Sequence, residues 1–178
     1  GRLSLMGAME VLSAISPSLY LSAEASTRLF GCAVADWGNE LQQARWLAPM
    51  LQGTLIGALA LAQSPFEDGE GPFGVNGQRK EGESVVINGE KPYVVNAPIA
   101  DWIALAGFCE GKPALFFVEK GADGLAIGPP LETAGYEGTP IAAVRLDECR
   151  IAPEQVIFPP DGAQMIDTLR MREDFLFL

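Results

Sequence analysis

Acid–base chemistry in this chain must come from carboxylates, tyrosines or lysines, because it contains no histidine. A Ser-His-Asp or Cys-His apparatus is therefore impossible, as is a histidine-ligated metal. Adjacent carboxylates occur at Glu67/Asp68, Asp147/Glu148 and Glu173/Asp174. Neighbours along a strand point to opposite faces, so Asp147 and Glu148 read as solvated edge residues rather than an acid/base pair. Glu173 differs. It stands beside Phe175 and Phe177, where partial burial would raise its pKa and suit it to proton abstraction. On pattern alone, the better reading of Glu173 is a surface carboxylate near a helix interior.

Gly69-Glu70-Gly71-Pro72-Phe73-Gly74 matches G-x-G-x-x-G literally. A dinucleotide fingerprint needs a helix N-terminus directly after the loop, to hold the pyrophosphate. Here Pro72, Asn76 and Gly77 continue the loop, and Glu67, Asp68 and Glu70 would repel phosphate, so the stretch reads as an acidic loop. The three cysteines, Cys32, Cys109 and Cys149, form no C-x-x-C pair, which removes a zinc ribbon or thioredoxin-type motif. No metal site is expected. Widely spaced thiols in odd number fit small apolar packing groups in a reducing compartment, and the expected location is cytoplasmic.

A net charge of −11 lacks the basic footprint of a nucleic-acid binder and disfavours an anionic membrane surface. The apolar runs, such as Gly57 to Ala62, are too short to span a bilayer. With 48% hydrophobic and 20% charged residues the composition is that of a folded chain. GRLSLMGAMEVL lacks the apolar core and cleavage site of a signal peptide. A start without Met and a stop at Phe175-Leu176-Phe177-Leu178, inside an apolar pattern, read as a fragment.

The elements that must position these groups begin with helices. Leu5, Met9, Leu12 and Ile15 recur at helical spacing, and Ser16-Pro17 punctuates. Leu19, Ala23, Leu29, Phe30 and Ala33 share a second face, broken at Asp36-Trp37-Gly38. Asn39 with Gln42 forms a capping box for a third helix running to about Met50, stopped by Gly53. Leu55 to Leu61 is a short apolar run. Ser84 to Ile87, then Asn88-Gly89, then Tyr93 to Val95 reads as a hairpin, because Asn-Gly supplies the positive φ of a tight turn. Trp102 to Phe108, Ala114 to Val118 and Ile141 to Leu146 read as further strands, whose aromatics Trp102, Phe108, Phe116 and Phe117 belong to a core. Tyr93 could present its ring at a barrel mouth. From Gly162 a helix returns, with Met165 and Leu169 on one stripe. The order is helices over residues 1–53, a small antiparallel barrel or sandwich over 54–158, and a helix from 159 that is cut short, so the expected fold class is α+β with segregated elements.

This arrangement resembles the acyl-CoA dehydrogenase family over nearly the whole chain, which implies that residues 1–53 are the end of a helical N-terminal domain, 54–158 a middle antiparallel β-barrel and 159–178 the start of a truncated C-terminal helical bundle. Gly38 to Gly53 is similar to the helix leading into that family's first strand. Val86-Ile87-Asn88-Gly89-Glu90-Lys91 resembles its "xINGxK" segment. Ile99-Ala100-Asp101-Trp102 and Phe117-Val118-Glu119-Lys120 follow at family spacing. Leu146-Asp147-Glu148-Cys149-Arg150-Ile151-Ala152-Pro153-Glu154 resembles the family's exit from the barrel, "FEDCRVPxE".

The resemblance implies FAD as cofactor and α,β-dehydrogenation of an acyl-CoA thioester, with a glutamate taking the α-proton. It also implies an electron-transfer flavoprotein or similar acceptor as partner, and a homo- or hetero-oligomer whose neighbouring subunits complete the FAD site. The family's flavin-contacting "LTEPGAGSD" corresponds to Leu61 to Glu70. Matching the proline to Pro65 puts Gln63 at the flavin-contacting threonine and Gly69, a substrate-side position, at the serine; a shift by one puts Ala62 at the threonine. The hydroxyls are missing in either register. The family's "WITN" becomes Tyr93-Val94-Val95-Asn96, in which Tyr93 keeps a ring for stacking and Val95 lacks the threonine hydroxyl. Glu137 is acidic where the family has a basic or polar residue. Most members carry the catalytic glutamate late in the C-terminal bundle and a minority on its first helix. Counted from Gly162, Glu173 falls at or beside that second position, although Arg172 could instead mark the family arginine. Besides the oxidoreductase, the lost hydroxyls fit a non-catalytic or non-FAD-binding subunit of a heteromeric dehydrogenase. A third reading is an acyl-CoA-binding scaffold reused for non-redox chemistry.

Overall fold

The computed structural model describes residues 2–61, 74–80 and 84–174. Helix α1 (Arg2–Ile15) ends at Ser16, whose hydroxyl accepts from the Leu19 amide at 3.3 Å and caps α2 (Pro17–Glu24). Pro17 at the first helical position has no amide to leave unsatisfied there. The helix continues through a π-helical stretch, Ala25–Gly31, into α3 (Cys32–Trp37) and stops at Gly38. The Asn39/Gln42 capping box is present, with both reciprocal bonds at 2.9 Å. It starts α4 (Glu40–Gln42), which passes through a second π stretch, Gln43–Leu47, into α5 (Ala48–Leu51).

Eight strands follow: β1 (Gly57–Ala60), β2 (Val75–Arg79), β3 (Val85–Val95), β4 (Trp102–Cys109), β5 (Lys112–Glu119), β6 (Leu125–Ile127), β7 (Ile141–Ile151) and β8 (Val156–Ile157). They form one sheet in the order β6-β7-β3-β2-β4-β5-β8, with β1 beside β4. Antiparallel pairs dominate, as the spacing of strands led one to expect, but the sheet is mixed. Both β1 and β2 run parallel to β4. The cause is topological. β3 is antiparallel to β2, and β4 reverses again but crosses to the far edge of β2, so two reversals restore the direction.

The hairpin expected at Asn88-Gly89 is not formed; β3 runs straight through it for 11 residues. Pairing with β2 on one side and β7 on the other holds the segment extended, and the dipeptide makes a β-bulge, visible as a register shift between Ile87 and Gly89. Asn88 accepts from the Glu148 amide at 2.7 Å through its side chain and donates to the Glu148 carboxylate at 2.9 Å. The reversal from β3 to β4 occurs instead at Asn96, with φ 69°. Its side-chain amide donates to the Ser22 carbonyl at 2.8 Å, tying the turn to α2. Asp147 and Glu148 are both exposed, but not by strand alternation: Glu148 has φ 48° and breaks it.

Two apolar clusters share the sheet. Trp102, Ala104, Leu115 and Phe117 face the helices and pack with Leu21, Phe30, Trp46, Met165 and Leu169. The alternate residues Ile103, Leu105, Phe116 and Val118 join Ile87, Val94, Val144 and Cys149 on the other face. Trp46 stacks on Phe117 with centroids 4.2 Å apart and an 11° interplanar angle; such a pair contributes about 1 kcal/mol beyond burial. Gly57 makes the helix–sheet contact possible, since a Cβ there would lie 2.3 Å from the Phe30 ring. Helix α6 (Gly162–Asp174) closes the layer, burying Met165 and Leu169.

Candidate functional site

A cavity of about 520 Å3 lies where three parts of the fold meet. The π stretch contributes Leu29, β1 contributes Leu59, and β3 contributes Tyr93 and Val95. The segment joining β6 to β7 supplies Leu131, Glu132 and Thr133, with Ile141 at the start of β7. Helix α6 brings Glu173 and Asp174 at its end. The walls are apolar, and the polar groups are one phenol, one hydroxyl and three carboxylates.

The bulges of β3 decide which side chains reach this cavity. A second register shift falls between Lys91 and Val94, which oppose Val144 and Ala142 of β7. Lys91 and Val94 therefore face the interior with those two buried residues. Tyr93 and Val95 face the other way; the Tyr93 side is 69% exposed, and its ring is available to a ligand. Thr133 carries a buried Oγ1 with no hydrogen-bond partner among the described residues.

Glu173 is half-buried at the cavity edge. Burial raises its pKa above the usual carboxylate value, and the neighbouring Asp174 adds to this, while Lys91 and Arg170 act in the opposite direction. Lys91 is fully buried. Burial pulls its ammonium down to about 7, against the attraction of Glu173.

Of the residues singled out from sequence, Glu173, Tyr93 and Val95 come together around this cavity. Val94 points its side chain into the sheet interior, so only its backbone is available beside Tyr93. Leu61 is buried and offers its carbonyl to Lys91 at 3.0 Å. Ala62, Gln63 and Gly69 lie outside the described residues. Sequence reasoning did not single out Glu132, Thr133 or Asp174 as site residues. Thr133 is in an irregular segment whose only local signal is the preceding Pro129-Pro130. Among the described residues no group of His, Cys, Asp and Glu is arranged to hold a metal ion, and no helix is long and apolar enough to cross a membrane.

Two family models match, the acyl-CoA dehydrogenase N-terminal domain over residues 1–54 and the acyl-CoA dehydrogenase middle domain over residues 72–149. The chain belongs to the acyl-CoA dehydrogenase family. It is 27% identical over 162 residues to the short-chain specific acyl-CoA dehydrogenase, mitochondrial, of Homo sapiens, covering 86% of this chain and 38% of that protein. Its fold is similar to a chain in the solved structure of the electron transferring flavoprotein of Acidaminococcus fermentans, with TM-score 0.82, 22% identity and coverage of 91% of this chain and 44% of that one. It is also similar to the glutaryl-CoA dehydrogenase of Mycobacterium smegmatis in complex with FADH2, with TM-score 0.77, 17% identity and coverage of 89% and 43%. The chain thus spans about two fifths of the length of the curated relatives it matches. The family's helical, sheet and helical order is the order seen here.

Proposed function

We propose that the protein is a flavin-dependent oxidoreductase that dehydrogenates an acyl-CoA thioester between its α and β carbons. The observation that carries this reading is the Glu173 carboxyl, with its proton affinity raised, on the same cavity as the exposed Tyr93 ring.

The cavity suits a planar heteroaromatic cofactor. Leu29, Leu59, Val95 and Ile141 give it apolar walls, Tyr93 gives a face for stacking, and Thr133 has a buried hydroxyl in need of a partner. Tyr93, Val95, the Val94 backbone and Thr133 are the residues that would hold FAD, and FAD when bound supplies the acceptor for the hydride leaving the β carbon. The chain's own part is different. Glu173 accepts the α-proton on its carboxylate, and its raised pKa brings it nearer to the acidity of that carbon. The apolar walls exclude water and so keep the developing negative charge from being quenched. No histidine is required.

Purified protein containing the whole chain should carry a visible flavin absorption band, and should reduce an artificial electron acceptor when given an acyl-CoA. A colourless protein that takes up no added FAD would remove this reading. A second reading, a non-catalytic or non-FAD-binding subunit of a heteromeric dehydrogenase, is favoured by Val95, which has no hydroxyl for a flavin, and by Glu132 and Asp174 at the cavity. That reading expects a colourless protein that co-purifies with a yellow homologue. Reoxidation by an electron-transfer flavoprotein and assembly into an oligomer belong to the first reading. The free thiols Cys32, Cys109 and Cys149 accord with a reducing, cytoplasmic setting.

A further inference from the structure

Asn96 follows the last residue of β3 in a left-handed conformation, φ 69°, and is wholly buried although its side chain is an amide. Asparagine accepts that backbone more readily than most residues with a side chain, but a buried amide needs partners. Its Nδ2 donates to the Ser22 carbonyl at 2.8 Å, and its Oδ1 accepts from the Ser22 hydroxyl at 2.5 Å. Its backbone amide donates to the Pro140 carbonyl at 2.7 Å. Asn96 therefore joins three parts of the chain that are distant in sequence: the end of β3, helix α2 and the entry to β7.

Each of these parts carries a wall of the cavity. Val95 directly precedes Asn96, and Tyr93 stands three residues before it. Ser22 belongs to the continuous helix that reaches Leu29 through the π stretch. Four residues after Ser22, the Ser26 hydroxyl accepts from the Gly57 amide at 3.0 Å and fixes the same helix to the start of β1. Ile141 directly follows Pro140, and its carbonyl accepts from the Leu131 amide at 2.8 Å, which secures the start of the segment holding Thr133.

We propose that Asn96 is a positioning residue of this cavity: its bonds to Ser22 and Pro140 hold the Tyr93–Val95 end of β3 against Leu29 on one side and Ile141 on the other. The role rests on the reading of this cavity as the flavin site and deepens it, by naming what sets the spacing of its walls. Asn96 does not line the cavity and acts through Val95 and Tyr93. Two reciprocal bonds to one serine fix both the separation and the rotation of strand against helix, where a single bond would leave rotation free. In apolar surroundings such bonds are stronger than in water, and removing one partner leaves the other unsatisfied. The Tyr93 ring is largely exposed, so the backbone that bears it decides where the ring stands. A stacking face misplaced by about 1 Å loses much of its use.

The test is amide hydrogen exchange on the whole protein, followed by titration with FAD. Asn96→Gly keeps the left-handed backbone and removes the side-chain bonds. Ser22→Ala removes the hydroxyl alone, and serves if Asn96→Gly does not fold. Corrected for intrinsic rates, the amides of residue 96 and Leu131 should exchange about tenfold faster in Asn96→Gly and about threefold faster in Ser22→Ala, relative to the amides of β4 and β5, which report global opening. Equal acceleration at all of these places would mean that Asn96 serves stability alone, and overturns the proposal. FAD binding, read by the quenching of flavin fluorescence, should weaken about tenfold in Asn96→Gly and less in Ser22→Ala. It should not change in Asn88→Ala, a control on the same strand whose bonds go to the exposed Glu148. A dissociation constant unmoved in Asn96→Gly, or moved equally in Asn88→Ala, also overturns the proposal. If the native protein takes up no FAD while exchange at residue 96 and Leu131 still follows the bonds to Ser22, the flavin reading fails and the positioning stands.

Discussion

Arg172 of α6 donates through Nη2 to the Asp36 carboxylate at the end of α3, at 2.6 Å. Arg172 directly precedes Glu173, so this bond ties the helical turn carrying the proposed base to the N-terminal helices. The guanidinium also sits 6.0 Å from the centroid of the Trp37 ring. The pair is partly exposed, with side chains 20% and 41% accessible, which limits its worth to stability. Its importance lies in aiming α6.

Asp36→Asn should therefore separate stability from activity. Loss of a partly exposed ion pair costs about 1 kcal/mol or less in urea denaturation. A small shift of α6 misplaces Glu173, and turnover should fall about tenfold or more, because proton transfer depends steeply on geometry. Equal turnover in the two proteins would show that α6 is held by Met165 and Leu169 alone.

Glu173→Gln should abolish dehydrogenation while leaving the fold intact, since the side chain is half-buried and amide and carboxyl are nearly isosteric. It should also change the pH dependence of stability. The folded pKa of Glu173 lies above its unfolded value, so between the two the native state holds the extra proton. Stability is then lost as pH rises through that window. Melting temperatures across the mildly acidic range should fall less steeply in the variant. Retained dehydrogenation would place the base elsewhere in the protein.

Gly89→Ala tests the bulge that replaces the expected hairpin. Gly89 has φ 140°, and a Cβ there would lie 1.9 Å from the Gly74 carbonyl oxygen. Backbone atoms on a paired strand cannot yield cheaply, so the substitution should cost about 2 kcal/mol or more in chemical denaturation. Asn88→Ala, which loses two exposed bonds to Glu148, should cost about 1 kcal/mol.

The same segment explains what could be read from sequence and what could not. Asn39 and Gln42 were legible because a capping box is local, and Trp102 to Phe108 because a strand buried on both faces needs a continuous apolar run. Asn88-Gly89 misled because turn chemistry is local while the strand is held by two distant partners, β2 and β7. The reversal at Asn96 lacks a glycine and depends on Ser22, 74 residues away. Lys91 was concealed by alternation: a period of two puts it on the face of Tyr93 and Val95. The bulge between Lys91 and Val94 turns it inward. Glu173 was legible as a carboxylate in an apolar setting, but its cavity required the segment from Leu131 to Thr133, which has no periodicity to read.

Lys91→Met offers a thermodynamic check independent of any activity. The folded pKa of about 7 lies below the ordinary lysine value of 10.5. Between these values the unfolded chain binds a proton that the native protein has released, so this group makes stability rise with pH through that window, and its full penalty is present below about 7. Two buried thiols oppose the trend. Cys149, pushed up to about 11 by burial with Asp123 adding to it, and Cys109, raised chiefly by burial, keep their protons longer in the native state and lower stability as pH climbs past the usual thiol range. Native protein and variant share those thiols, so the difference between their urea midpoints isolates Lys91. The variant should gain relative to the native protein near neutrality, where the native state holds a desolvated ammonium, and this relative gain should shrink as pH approaches 10. A difference that stays constant from neutral to alkaline pH would mean that Lys91 keeps an ordinary pKa in the folded protein.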